Sequence, residues 1–127
     1  MFCRGIRGAT TVEQNERGEI LAATTELLNV LIQQNDLRAE DIASVIFTVT
    51  EDLNAEFPAL AARQLGWTEV ALICSREIPV PNSLKMCIRI LLHVNTTRSA
   101  AEMQHVYLRD AVILRPALSE SPAASGG

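Results

Sequence analysis

Few side chains in this sequence could do chemistry. His93, His105, Cys3, Cys74 and Cys87 are its only imidazoles and thiols. The cysteines are odd in number, widely spaced and lack CxxC pairing, and the histidines stand 12 residues apart, so no zinc or redox site is expected. The thiols are expected to be reduced. A hydrolytic triad has no elbow motif around a serine, and a thiol nucleophile needs a base placed nearby in the fold, which sequence does not show. At the end of an apolar run, Cys74 reads as a buried, inert thiol. Paired carboxylates fare worse, because Glu77 is the only acid between Glu69 and Glu102. Arg4-Gly5-Ile6-Arg7-Gly8 has neither the GxGxxG nor the GxxxxGK spacing that cradles phosphate. No metal and no cofactor are expected.

What remains is arginine. Lys85 is the only lysine among 11 cationic residues, and a guanidinium offers a planar donor fork that fits carboxylates where an ammonium is a mobile point charge. Arg7 shares its strand face with Gly5 and Ala9, which leaves volume beside the guanidinium. Arg89 stands on the odd face of a strand over residues 84–94, with Lys85, Cys87, Leu91 and His93. Its even face is wholly apolar: Leu84, Met86, Ile88, Ile90, Leu92 and Val94. Together the two arginines suggest a pocket for an anionic ligand. Glu77, in the loop before Arg89, reads either as a salt-bridge partner or as an acceptor for a substrate hydroxyl.

The elements that must position these residues follow from periodicity. Residues 2–12 read as a first strand, with Gly5 and Gly8 where backbone or ligand approaches closely. Ile20, Leu21, Leu27, Leu28, Leu31 and Ile32 recur as one apolar helix face, capped by Asn15 or a neighbour. Residues 36–41 suit a helical turn, 43–50 a strand, 57–65 a short helix stopped by Gly66, and 69–74 a third strand. Ser99 to Glu102 matches a capping box that opens a short helix towards His105, and 111–115 reads as the last strand. The helices do not alternate regularly with strands, so the class is α+β, a mixed five-stranded sheet with helices on one side.

The chain has 127 residues, which bounds it to one domain, read as 1–115, followed by a flexible Pro, Ala, Ser and Gly tail over 116–127. A chain this short has little surplus for a deep private cavity, so a sizeable ligand site calls for a second subunit. The net charge of −4 argues against nucleic-acid or anionic-membrane partners. Without an apolar run of signal-peptide or membrane-spanning length, a cytoplasmic location is expected.

The segments Arg4-Gly5-Ile6-Arg7-Gly8-Ala9-Thr10-Thr11-Val12, Phe57-Pro58-Ala59, Cys87-Ile88-Arg89, His105-Val106-Tyr107-Leu108 and Leu114-Arg115-Pro116 together resemble the small monofunctional chorismate mutases of the trimeric α+β class. The resemblance implies conversion of chorismate to prephenate by a [3,3] rearrangement, in a homotrimer that forms a pseudo-α/β-barrel with active sites between subunits. It implies that Arg7 and Tyr107 bind a substrate carboxylate, Arg89 the ether oxygen and a carboxylate, and Glu77 the ring hydroxyl, with Cys74 beside that hydroxyl. Phe57, Ala59 and Arg63 would come from the neighbouring chain, Ile73 would also touch substrate, and Arg115 would lie near the mouth. Leu60 departs from relatives that carry lysine there and removes a cationic contact. Two other readings stay open: a trimeric imine or enamine deaminase of similar assembly, and a non-catalytic trimeric sensor of an aromatic-pathway acid.

Overall fold

The computed structural model describes residues 1–116. The tail expected over 116–127 therefore lies, apart from Pro116, outside the described residues. Five strands form one mixed sheet: β1 (Phe2–Thr11), β2 (Ile42–Val49), β3 (Ala71–Arg76), β4 (Cys87–Thr96) and β5 (Val106–Tyr107), in the order β3-β2-β4-β1-β5. β4 runs antiparallel to both β1 and β2, while the edge pairs β2/β3 and β1/β5 are parallel.

Alternation along each strand decides which face is covered. Ile6, Val45, Phe47, Ile90 and Leu92 all turn to the side on which helices α1 (Arg17–Asn35) and α2 (Ala59–Gln64) pack, and they are buried there with Leu27, Leu28, Leu31, Ala61 and Ala62. Each fully buried aliphatic side chain contributes about 1.5–3 kcal/mol. Both α-helices lie on one side, as expected. Three 3-10 helices complete the fold of the described residues, η1 (Ala39–Asp41), η2 (Ala100–Glu102) and η3 (Arg109–Leu114); the face opposite the α-helices carries Arg7, Ala9, Thr48 and Arg89 and is covered only in part, by η3.

α1 sits close over β1 because Gly8 has no side chain. A Cβ there would meet Leu31 Cδ1 at 3.0 Å and Leu27 Cδ1 at 3.2 Å. Overpacking of that kind costs about 1–3 kcal/mol, more than the roughly 0.4–1 kcal/mol gained by stiffening the unfolded chain. Gly8→Ala is therefore expected to lose about 1 kcal/mol net. A urea midpoint equal to the parent's, at unchanged slope, would contradict the close approach.

α2 ends where Gly66, at φ +94°, lets the chain turn: Trp67 donates its N–H to the Ala62 carbonyl (3.1 Å) and Gly66 to that of Arg63 (3.0 Å). Trp67 then packs back into the core. At the start of α1 the N-cap is Glu16, whose side chain makes no capping bond. Asn15 instead grips the 52–57 loop, taking the N–H groups of Asn54 and Ala55 at 3.0 Å each.

Several boundaries differ from expectation: the third strand, expected over 69–74, runs Ala71–Arg76, and the helix expected over 57–65 is Ala59–Gln64. The strand expected from residue 84 begins at Cys87, because Met86 adopts φ +54° and breaks the extended run. The strand expected over 111–115 is the helix η3, and Val106–Tyr107 is the fifth strand. Ala111 is buried and Leu114 half-buried while Val112 and Ile113 are 47% and 77% exposed. That three-residue repeat suits a 3-10 turn, where a strand would need alternation. The capping box forms as expected, with Ser99 donating its N–H to Glu102 Oε1 at 2.8 Å, but it opens a single 3-10 turn over Ala100–Glu102.

Candidate functional site

The register brings the site together in one transverse row. Arg89 pairs with Ala9 of β1 on one side and Thr48 of β2 on the other, and Ala9 pairs in turn with Tyr107 of β5. A row reading Thr48–Arg89–Ala9–Tyr107 thus crosses four strands. The small side chains of Ala9 and Thr48 leave the guanidinium room between them. Arg7 lies two residues before Ala9 on the same face, opposite Leu91. Glu77 follows the last residue of β3 and is anchored by its N–H to the Val49 carbonyl (2.9 Å).

Arg7, Ala9, Thr48, Glu77, Arg89 and Tyr107 line one cavity of about 230 Å³, whose apolar wall includes Ile46, Leu91 and Leu114. Neither Arg7 nor Arg89 forms an ion pair among the described residues. Glu77 forms none there either; its Oε2 accepts the Thr48 hydroxyl. The Tyr107 hydroxyl is buried and has no hydrogen-bond partner among the described residues. A buried phenol without a partner is costly unless something else supplies one. Two unpaired guanidinium groups and a waiting hydroxyl are the complement of a carboxylate.

Supports behind the row hold it in register. Asp52 accepts the Met86 N–H at 3.0 Å and the Thr50 hydroxyl at 2.5 Å, and Thr50 Oγ1 accepts the Cys87 N–H at 3.0 Å. These bonds fix the left-handed residue from which Arg89's strand departs. Cys87 is buried with Ala9 and Ala111, and that burial pushes its thiol pKa up while the neighbouring Arg89 charge opposes the rise. It is a packed, protonated thiol and no nucleophile.

The remaining residues gather elsewhere. Phe57, Ala59, Arg63, Ile73 and Cys74 line a second depression of about 290 Å³, formed by the start of α2 and by β3. Cys74, expected beside the hydroxyl that Glu77 would hold, lies in this second depression, because its pairing with Phe47 turns it to the helical side of the sheet. Leu60 packs inward against the core. Arg115 is exposed at the end of η3 and lines neither cavity. Thr48 was not among the residues anticipated for the site; strict alternation from the buried Phe47 is the signal that puts it on Arg89's face.

Residues 3–118 match the family model for chorismate mutase type I. The chain belongs to the type I chorismate mutases. Over 119 residues this mutase is 50% identical to the chorismate mutase AroH of Thermus thermophilus, covering 93% of its own length and 98% of that protein. Over 120 residues it is 45% identical to AroH of Bacillus subtilis (strain 168), covering 94% of each. A solved chorismate mutase from Clostridium thermocellum superposes with a TM-score of 0.86 at 53% identity, over 87% of this chain and 98% of that one. The mutase is accordingly an isomerase acting on chorismate, and neither the imine deaminase nor the sensor reading is favoured. Among the described residues no helix is long and apolar enough to cross a membrane.

Proposed function

We propose that the cavity row performs the [3,3] rearrangement of chorismate to prephenate by conformational restriction and electrostatics alone. In that step a C–O bond breaks as a C–C bond forms within one molecule. No proton, electron or leaving group is exchanged, so no nucleophile, base or metal is required. Arg89 stabilises negative charge developing on the ether oxygen and also holds a carboxylate. Arg7 and Tyr107 hold a carboxylate, and Glu77 accepts the ring hydroxyl. The observation that carries this reading is that two arginines without an ion pair among the described residues, and a buried phenol without a hydrogen-bond partner there, line one cavity with Glu77.

The second depression supplies the other wall, through Phe57, Ala59, Arg63, Ile73 and Cys74 of a neighbouring chain in a homotrimer that closes as a pseudo-α/β-barrel, with Arg115 near the mouth. Support comes from size: about 230 Å³ is less than the roughly 300 Å³ at which ligand pockets begin, so a single chain encloses too little. The enzyme acts in the cytoplasm, with neither nucleic acid nor membrane as partner.

The test is loss of chorismate absorbance with pure protein, followed by acid conversion of the product to phenylpyruvate, with mass measured in solution by light scattering. A monomer that turns over at full rate would refute the shared site. In the same assay Cys74→Ser is expected to keep activity within a few-fold of the parent, because a hydroxyl preserves a small polar contact and no thioester forms. A substrate adduct on Cys74 in the intact mass would contradict the mechanism.

A further inference from the structure

β5 is a two-residue strand, and the ladder that ties it to β1 is short: Gly8 pairs with Val106 and Ala9 with Tyr107, extended on one side by Leu108 donating its N–H to the Ala9 carbonyl at 2.9 Å. On the other side the backbone N–H of Arg7 finds the ring of His105, whose Nδ1 accepts it at 2.9 Å. One imidazole thus closes the ladder between the strand that carries Arg7 and the strand that carries Tyr107.

We infer that His105 is a positioning residue for the carboxylate-binding edge of the site, acting through a neutral Nδ1 that fixes the backbone of Arg7 against β5. The inference rests on the reading of Arg7 and Tyr107 as substrate-binding groups. An imidazole that accepts at Nδ1 carries its proton on Nε2. An imidazolium has N–H at both nitrogens, so it can no longer accept, and its Nδ1–H would face the Arg7 N–H. Protonation therefore opens the ladder at the residue that matters.

The surroundings keep the ring neutral. Partial burial lowers the His105 pKa, and the nearby Arg7 charge lowers it further. The elements packed against β5 are β1, α1 and η3. Their other charged groups, Asp110 excepted, are engaged elsewhere. Arg4 donates to the Arg98 carbonyl (3.1 Å), Arg17 pairs with Glu56 (2.7 Å), and Glu19 takes the N–H groups of Glu13 and Gln14 (3.3 Å each). Arg109 meets Glu26 (3.4 Å) and the Thr11 carbonyl (3.0 Å); the Asp110 carboxylate is exposed and forms no ion pair among the described residues, only its backbone N–H reaching Thr11 Oγ1 (3.3 Å). Because the folded pKa is depressed, the clip is intact above the ordinary imidazole value of about 6.5 and is lost as the pH falls through the lower folded value.

The experiment compares kcat and KM of the full chain with those of His105→Ala and His105→Asn between about pH 5 and 8. His93→Gln, which removes the only other imidazole, is the control. At the alkaline end His105→Ala should raise KM about three- to tenfold with kcat changed less, the loss of one backbone-fixing hydrogen bond. His105→Asn should recover most of that loss, since its Oδ1 stands where Nδ1 stood, and should flatten the acid fall in kcat/KM. His93→Gln should keep that fall. The inference is overturned if His105→Asn titrates like the parent, if His93→Gln abolishes the acid fall, or if His105→Ala leaves KM unchanged. Arg7→Ala and Tyr107→Phe separate the two levels. If neither lowers kcat/KM, the site reading itself has failed; if both do and His105→Ala does not, only the positioning role has. Should His105→Ala fail to fold, the pH profile of His105→Asn decides.

Discussion

Arg89→Ala should lower kcat by about 10² to 10³, corresponding to about 3–4 kcal/mol of transition-state stabilisation, while the protein stays folded and keeps its assembly. The asymmetry follows from what the side chain touches. Arg89 is half-buried, forms no ion pair among the described residues, and lies between Ala9 and Thr48 on the face away from the main core. Removing it takes nothing from the packing of Ile88, Ile90 and Leu92 on the other face. The thermal midpoint is expected to stay within about 3 °C of the parent's. Lysine at the same position returns the charge without the planar fork, so Arg89→Lys should recover only part of the rate. In both variants the larger change belongs in kcat, because an interaction made only as charge develops does not stabilise the ground state. If Arg89→Ala keeps more than about a tenth of parental turnover, the electrostatic assignment fails.

Much of this site was legible before any coordinates. Strict alternation across residues 88–94 separates an apolar face from the one bearing Arg89, and the sheet keeps that division. The small residues flanking Arg7 predict free volume, and the cavity lies there. What sequence could not give is the lateral order of strands. The row Thr48–Arg89–Ala9–Tyr107 depends on β4 lying between β2 and β1, a long-range arrangement that leaves no local period in the chain. Alternation puts Thr48 on the face opposite Phe47, but only the strand order sets it beside Arg89; Cys74, which the resemblance implies beside the hydroxyl held by Glu77, lines the second depression of this chain. The last strand was misplaced because a 3-10 repeat and a short strand both put hydrophobic residues within five positions. Only the burial of Ala111 and the exposure of Val112 and Ile113 tell them apart.

The division of the candidate residues between two concavities leads to the second large effect. Arg89→Ala damages the first concavity, and Arg63→Glu, which reverses a charge on an exposed position of α2, damages the second. If the site is shared in a homotrimer as proposed, each variant alone should be nearly inactive, since every site then contains one spoiled wall. In a closed ring of three, each site takes its first wall from one chain and its second from the next, a heterologous contact repeated around the axis. If the two variants are unfolded together and refolded as a random mixture, about a quarter of the sites combine two intact walls. Turnover should then rise to about a quarter of the parental value per site. Mixing without unfolding should restore activity only at the rate of subunit exchange. Rescue requires intact walls contributed by different chains, so no monomeric site could be rescued in this way. A refolded mixture that stays as inactive as its components, with its mass that of a trimer and each variant folded, would mean that both concavities serve one chain, and the shared-site reading would have to be abandoned.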